Sequence, residues 1–146
     1  MRHAFLAMPL IALASAALAA APVPAAKGKG RDGHGNTFSF KFKKGKGKVA
    51  YDTVSFGSPS GAVDCYASAG RLAVLSGAMD VPVSGLTHFM VVAEDRKFFS
   101  EPDKYTVWMR NAPFDCEAEL ADTAPDALIN SRDPIERGNI TVQPIN

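Results

Sequence analysis

Residues 61–78 (GAVDCYASAGRLAVLSGA) hold one of the chain's two cysteines, Cys65, in a pair of short runs joined by a Gly-containing turn. The other, Cys116, lies in a second alternating run, residues 114–120 (FDCEAEL). If the two runs face one another across a core, one bond between them fixes the architecture. It closes a loop of about fifty residues, for which chain entropy gives roughly 4 kcal/mol of stabilisation. There is no Cys-x-x-Cys and no histidine beside either cysteine, so neither a metal pair nor a reactive thiol has sequence support. A single Cys65–Cys116 disulfide is the expectation.

The chain's start agrees with an oxidising destination. A basic Met1-Arg2-His3 precedes an apolar run, residues 4–14, then a small-x-small site at Ala17-Leu18-Ala19 and the helix-breaking Pro22. That order is a cleaved secretory signal, with the cut expected near Ala19/Ala20. The apolar run falls short of the ~20 residues that span hydrocarbon. The expected product is secreted or periplasmic, with a signal peptide over residues 1–19, a flexible basic arm over 20–36 and a β-domain over 37–146.

The arm reading rests on composition. Residues 20–36 (AAPVPAAKGKGRDGHGN) offer nothing large to bury against the entropy of ordering them. The net charge of +1 also hides a division. Residues 20–51 carry eight cations (Lys27, Lys29, Arg31, Lys41, Lys43, Lys44, Lys46 and Lys48) against Asp32, giving +7. Residues 52–146 sum to −7.

Period-two alternation runs through the remainder. In TFSFKFKK (37–44), Phe38, Phe40 and Phe42 share a face opposite Ser39, Lys41 and Lys43. HFMVVAE (88–94) is apolar on both faces, as a central strand is. KYTVWMR (104–110) puts Tyr105, Val107 and Met109 on one side and Trp108 on the other. FDCEAEL reads as a strand after Pro113, with a helix as the competing reading because Glu, Ala and Leu are good helix formers. Residues 122–137 read as a long polar loop and GNITV as a short closing strand. About eight short strands without a long helix give an all-β class, an antiparallel β-sandwich or small barrel.

Five elements in this order carry a resemblance: the strand bearing Cys65, the hairpin return from Gly70-Arg71 through Ala73 to Gly77, Phe89 to Asp95, the strand led by Asp103, and Gly138-Asn139-Ile140 with Val142. The chain resembles a group of small exported bacterial all-β proteins. That resemblance implies an exported β-domain and no particular activity. The loop after Asp95 departs from the group's Gly- and Asn-rich form, with Arg96, Lys97, Phe98 and Phe99 in its place.

For chemistry the sequence offers little. It has no GxSxG, HExxH or Gly-rich phosphate loop, and His88 is the only histidine in the β-domain. No cofactor is expected. Glu94, Asp95, Glu101 and Asp103 flank one loop and are the only, weak, candidates for an ion, without EF-hand spacing. Two readings follow. One is a non-enzymatic structural or binding domain of the cell envelope or exterior, its eight cations touching an anionic polymer or an acidic protein surface rather than nucleic acid. The other is a small-ligand-binding barrel or minor hydrolase with a pocket near Tyr105 and Trp108.

Overall fold

The alternation of Phe38, Phe40 and Phe42 with Ser39, Lys41 and Lys43 sets the inside and outside of the molecule. The computed structural model describes residues 23–55, 57–122 and 133–143. In it all three rings are buried and the residues between them exposed. This strand is β2 (Thr37–Lys43). Around it the chain forms β1 (Ala25–Asp32), β3 (Lys46–Asp52), β4 (Ser60–Ala62), β5 (Cys65–Ala69), β6 (Leu72–Val83), β7 (Leu86–Glu94), β8 (Lys104–Arg110), α1 (Cys116–Asp122) and β9 (Asp133–Gln143). The signal segment lies outside the described residues, as does most of the expected polar loop, residues 123–132.

Among the described residues, nine strands make one antiparallel sheet, in the order β4-β3-β2-β1-β9-β8-β7-β6-β5, curled into a half-barrel. The expected all-β, antiparallel class is observed, but the sandwich or small barrel of about eight strands is corrected to a single half-barrel sheet of nine. Residues 114–120 form no strand, and two strands are added, β4 and, from the segment read as a flexible arm, β1. Its Lys27, Lys29 and Arg31 face out, while Ala26, Gly28 and Gly30 face in. The alternation is real but its inner members are nearly empty. A Cβ at Gly28 would lie 2.5 Å from the Phe40 ring, so Phe40 fills the space where a side chain of β1 would stand. β1 gains its order by pairing along its length with β2 on one side and β9 on the other.

The concave face is filled. Phe38, Phe40 and Phe42 meet Leu75, Phe89, Val91, Tyr105 and Ile140 in one continuous core. Phe38 stacks on Tyr105 with ring centroids 4.0 Å apart, and Phe42 on Tyr66 at 4.2 Å. β4 folds over β6 so tightly that a Cβ at Gly77 would collide with the Ala62 carbonyl. This backbone approach is what Gly77 permits.

A second, smaller core lies on the other face, where Ala67, Val74, Met90 and Val92 pack under Cys116. β7 is therefore buried on both faces, as its sequence indicated. The cover is α1, and here the strand reading of residues 114–120 is corrected. Asp115 Oδ1 accepts the backbone N–H groups of Glu117 and Ala118, an N-cap. Glu117 and Glu119 then sit in the first turn, where the helix dipole favours acids. Cys116 and Leu120 are four apart and share one helical face, so they meet the sheet together. The disulfide joins Cys116 to Cys65 with Cα atoms 5.9 Å apart and fastens α1 to β5.

Between the two halves of the sheet the ladder is thin, with β8 and β9 pairing only at Lys104↔Pro134 and Tyr105↔Asp133. Beyond that point side chains take over. Asp103 Oδ2 accepts the N–H of Ile140 and Asp95 Oδ2 that of Val142.

Candidate anion-binding face

The outer face of β9-β1-β2-β3 is built by register. Lys46 of β3 stands opposite Lys43 of β2, and Lys48 opposite Lys41. Lys41 in turn stands opposite Lys27 of β1. Lys29 follows one step along β1, and Arg31 stands opposite Arg137 of β9. The two-residue turn Lys44-Gly45, with positive φ at both positions, brings Lys44 to the end of the same hairpin. All eight cations singled out in the sequence are thus gathered on one sheet face or its bounding turn.

Sequence reasoning missed Arg137, which it placed in a loop. The signal was present: Arg137, Asn139 and Thr141 alternate with Gly138, Ile140 and Val142 in a strand longer than GNITV alone.

Like charges set directly across a sheet repel. Among the described residues, the ion pairs leave out Lys27, Lys29, Lys41, Lys43, Lys46 and Lys48; at the face's border Arg31 bonds Glu136 at 3.1 Å. The floor between the lysines is made of small or polar residues such as Ser39, Ala50, Asn139 and Thr141. Three shallow depressions, of about 500, 540 and 730 Å³, follow one another across it, the first two sharing Lys27 and Lys41, the second and third Lys29 and Ser39. The face can therefore hold an extended anion by charge and shape.

The acidic loop is committed elsewhere. Asp95 and Asp103 are buried and accept backbone N–H groups: Asp103 those of Arg96 and Ile140, Asp95 those of Lys97 and Val142. Glu101 and Glu94 both bind Arg96, Glu94 at 2.9 Å. Glu101 first, then Glu94, raises the Arg96 pKa above its ordinary value, against the opposing effect of burial. Among the described residues no three His, Cys, Asp or Glu side chains are grouped to hold a metal ion. The loop's aromatics are exposed, with guanidiniums against their rings, Arg71 over Phe98 at 4.3 Å and Arg96 over Phe99 at 5.6 Å.

The pocket expected near Tyr105 and Trp108 does not form between them. Three residues apart on one strand, they point to opposite faces. Tyr105 is 3% exposed inside the core, and Trp108 is 47% exposed outside it. His88 heads no site; its Nδ1 lies 2.9 Å from Thr87 Oγ1. Among the described residues no helix is long and apolar enough to cross a membrane.

No family model, curated protein or solved structure matches this chain.

Proposed function

We propose that this is an exported, non-enzymatic binding domain whose basic sheet face holds an anionic polymer or surface. The observation that carries the reading is the row Lys27–Lys41–Lys48, three cations on three adjacent strands with no carboxylate among them. Such a row costs stability in the free protein and recovers it when an anion lies across it. The signal-like start at residues 1–19 and the disulfide suit an oxidising exterior. The resemblance to small exported all-β proteins points the same way.

The test compares retention on an immobilised polyanion such as heparin with that of the triple variant Lys27→Gln, Lys41→Gln, Lys48→Gln. The native protein is expected to elute at clearly higher salt. Co-elution of the two would remove the proposal. The export half is tested separately, by the mass of the mature chain recovered outside the cytoplasm, which should begin near Ala20.

A further inference from the structure

The cations on this face are not spread evenly, and their placement specifies more than a sign of charge. Four tiers of outward positions cross the four strands. The first holds Lys46 and Lys43 beside Ala25 and Gln143. The second holds Lys48, Lys41 and Lys27 beside Thr141. In the third, Lys29 stands between Ser39 and Asn139, and in the fourth Arg31 stands beside Arg137. The charge thus moves from the β3 side to the β9 side as the tiers descend. The two corners off that line are neutral or acidic, Gln143 at one and Asp52 at the other.

We infer that this diagonal is a track for one linear, flexible polyphosphate-type chain, laid single-file from Lys46 to Arg137; the inference rests on the anion-binding reading above. Same-face neighbours lie about 6.8 Å apart along a strand and about 4.8 Å apart across strands, so the track is about 25 Å long. The three depressions line up along it, each sharing cations or floor residues with the next, which makes one trough rather than three sites.

The chemistry of the track selects among polyanions. Reading a planar carboxylate ladder by bidentate forks takes arginines, yet six of the eight cations in the tiers are lysines and only Arg31 and Arg137 are arginines. Lysine is a compact point charge that suits the tetrahedral oxyanions of a phosphate backbone, whose contacts need no fixed plane. Of the aromatics on these strands, Phe38, Phe40 and Phe42 point into the core and the half-buried Tyr51 packs against that core from the same side. Stacking of nucleobases, the usual anchor for single-stranded nucleic acid, has no platform. A flat bilayer would also want apolar anchors. The large exposed apolar side chains among the described residues, Val23, Val54, Val81, Phe98, Phe99 and Trp108, all lie outside these four strands, Val23 alone standing near the end of β1.

The experiment measures binding of inorganic polyphosphate of graded chain length to the full-length mature protein across a salt series. Affinity is expected to rise with length until the chain spans the track, then level off. Lys27→Gln and Lys48→Gln should each lower the slope of log affinity against log salt by about one. Arg71→Gln, in the turn between β5 and β6, should leave that slope unchanged, and circular dichroism should show all variants folded. The track is overturned if short and long chains bind alike, if Arg71→Gln matters as much as Lys27→Gln, or if a polycarboxylate of equal charge density binds as tightly. Retention only by anionic phospholipid vesicles also overturns it, while the broader anion-binding reading survives. If neither polyphosphate nor heparin is held, both fall together.

Discussion

Asp103 Oδ2 accepts the backbone N–H of Ile140 at 2.6 Å, across 37 positions of sequence, in a buried setting. The contact stands where the β8–β9 ladder has run out, and Asp95 repeats it at Val142. The two aspartates therefore act as a side-chain substitute for strand pairing. They hold together the half of the sheet that carries the basic face and the half that carries α1.

Asp103→Ala is expected to be among the more damaging single substitutions. It strips the acceptor from the N–H groups of Ile140 and Arg96. A buried donor left unpaired costs about 1–3 kcal/mol, so a loss of about 2–4 kcal/mol should appear in urea unfolding at neutral pH. Asp103→Asn keeps one acceptor oxygen and should lose less. Equal stability of Asp103→Ala and the native protein would show that the seam does not depend on this carboxylate.

Tyr105 makes a pH-dependent prediction. Its hydroxyl is buried without a hydrogen-bond partner. Burial first, then the nearby Tyr51 and Asp32, pushes its pKa well above the ordinary 10.0. The folded state thus keeps a proton that the unfolded chain releases above about pH 10. Stability contributed by the neutral phenol is whole below that pH and is lost as pH rises past it. Tyr105→Phe removes the unsatisfied hydroxyl and the titration with it. It should unfold at equal or higher urea at pH 7, by up to about 1 kcal/mol, and should lose less stability between pH 9 and pH 11. A steeper alkaline loss in the variant would contradict this account.

The lysine row predicts a trade between stability and binding. Lys41 stands directly opposite Lys27 on one side and Lys48 on the other. Lys41→Gln relieves both repulsions and should raise stability by about 0.2–1 kcal/mol at low ionic strength. The gain should fade at high salt, where exposed charges are screened. The same substitution should weaken polyanion binding. Thermal melts at low and high salt, set beside the binding slope, check both halves.

Parts of this fold were legible because their alternation carried mass on the inner face. Phe38, Phe40 and Phe42 declare β2, and the doubly apolar residues 88–94 declare a central strand. β1 was hidden for the opposite reason: Lys27-Gly28-Lys29-Gly30-Arg31 alternates charge with absence, and absence also reads as disorder. What orders it is pairing with β2 and β9 over a ring donated by Phe40, none of which a local window contains. FDCEAEL was ambiguous because apolar residues at every second position include the pair four apart, Cys116 and Leu120, that a helix needs. Asp115 as N-cap was the deciding residue. The eight cations were found individually, but their grouping on one face depends on the pairing of β1 with β2, and Arg137 joins them only through β9.

Loss of the disulfide should lower global stability and release α1 first. Cys65→Ser with Cys116→Ser removes a link across 51 positions, worth about 4 kcal/mol by chain entropy. α1 has 7 residues, too few to persist unsupported, so its docking on Val74, Met90 and Val92 should fail first. Hydrogen exchange is expected to show α1 amides unprotected while β2 and β7 keep protection in the main core.

The β1 account itself rests on the fit between Gly28 and Phe40, and a double-mutant cycle isolates that fit. A Cβ at Gly28 meets the Phe40 ring at 2.5 Å and the Ile140 side chain at 3.0 Å. Gly28→Ala should therefore destabilise by about 1–3 kcal/mol through overpacking, although alanine alone suits an extended backbone better than glycine does. Phe40→Leu opens the space and costs stability by itself. Combined, the two changes compensate, because the new methyl occupies volume that the ring vacated. The double variant should lose less than the two singles together, by at least about 0.5 kcal/mol. Strict additivity would mean that Phe40 does not shape β1, and the ordering of residues 25–32 would need another cause.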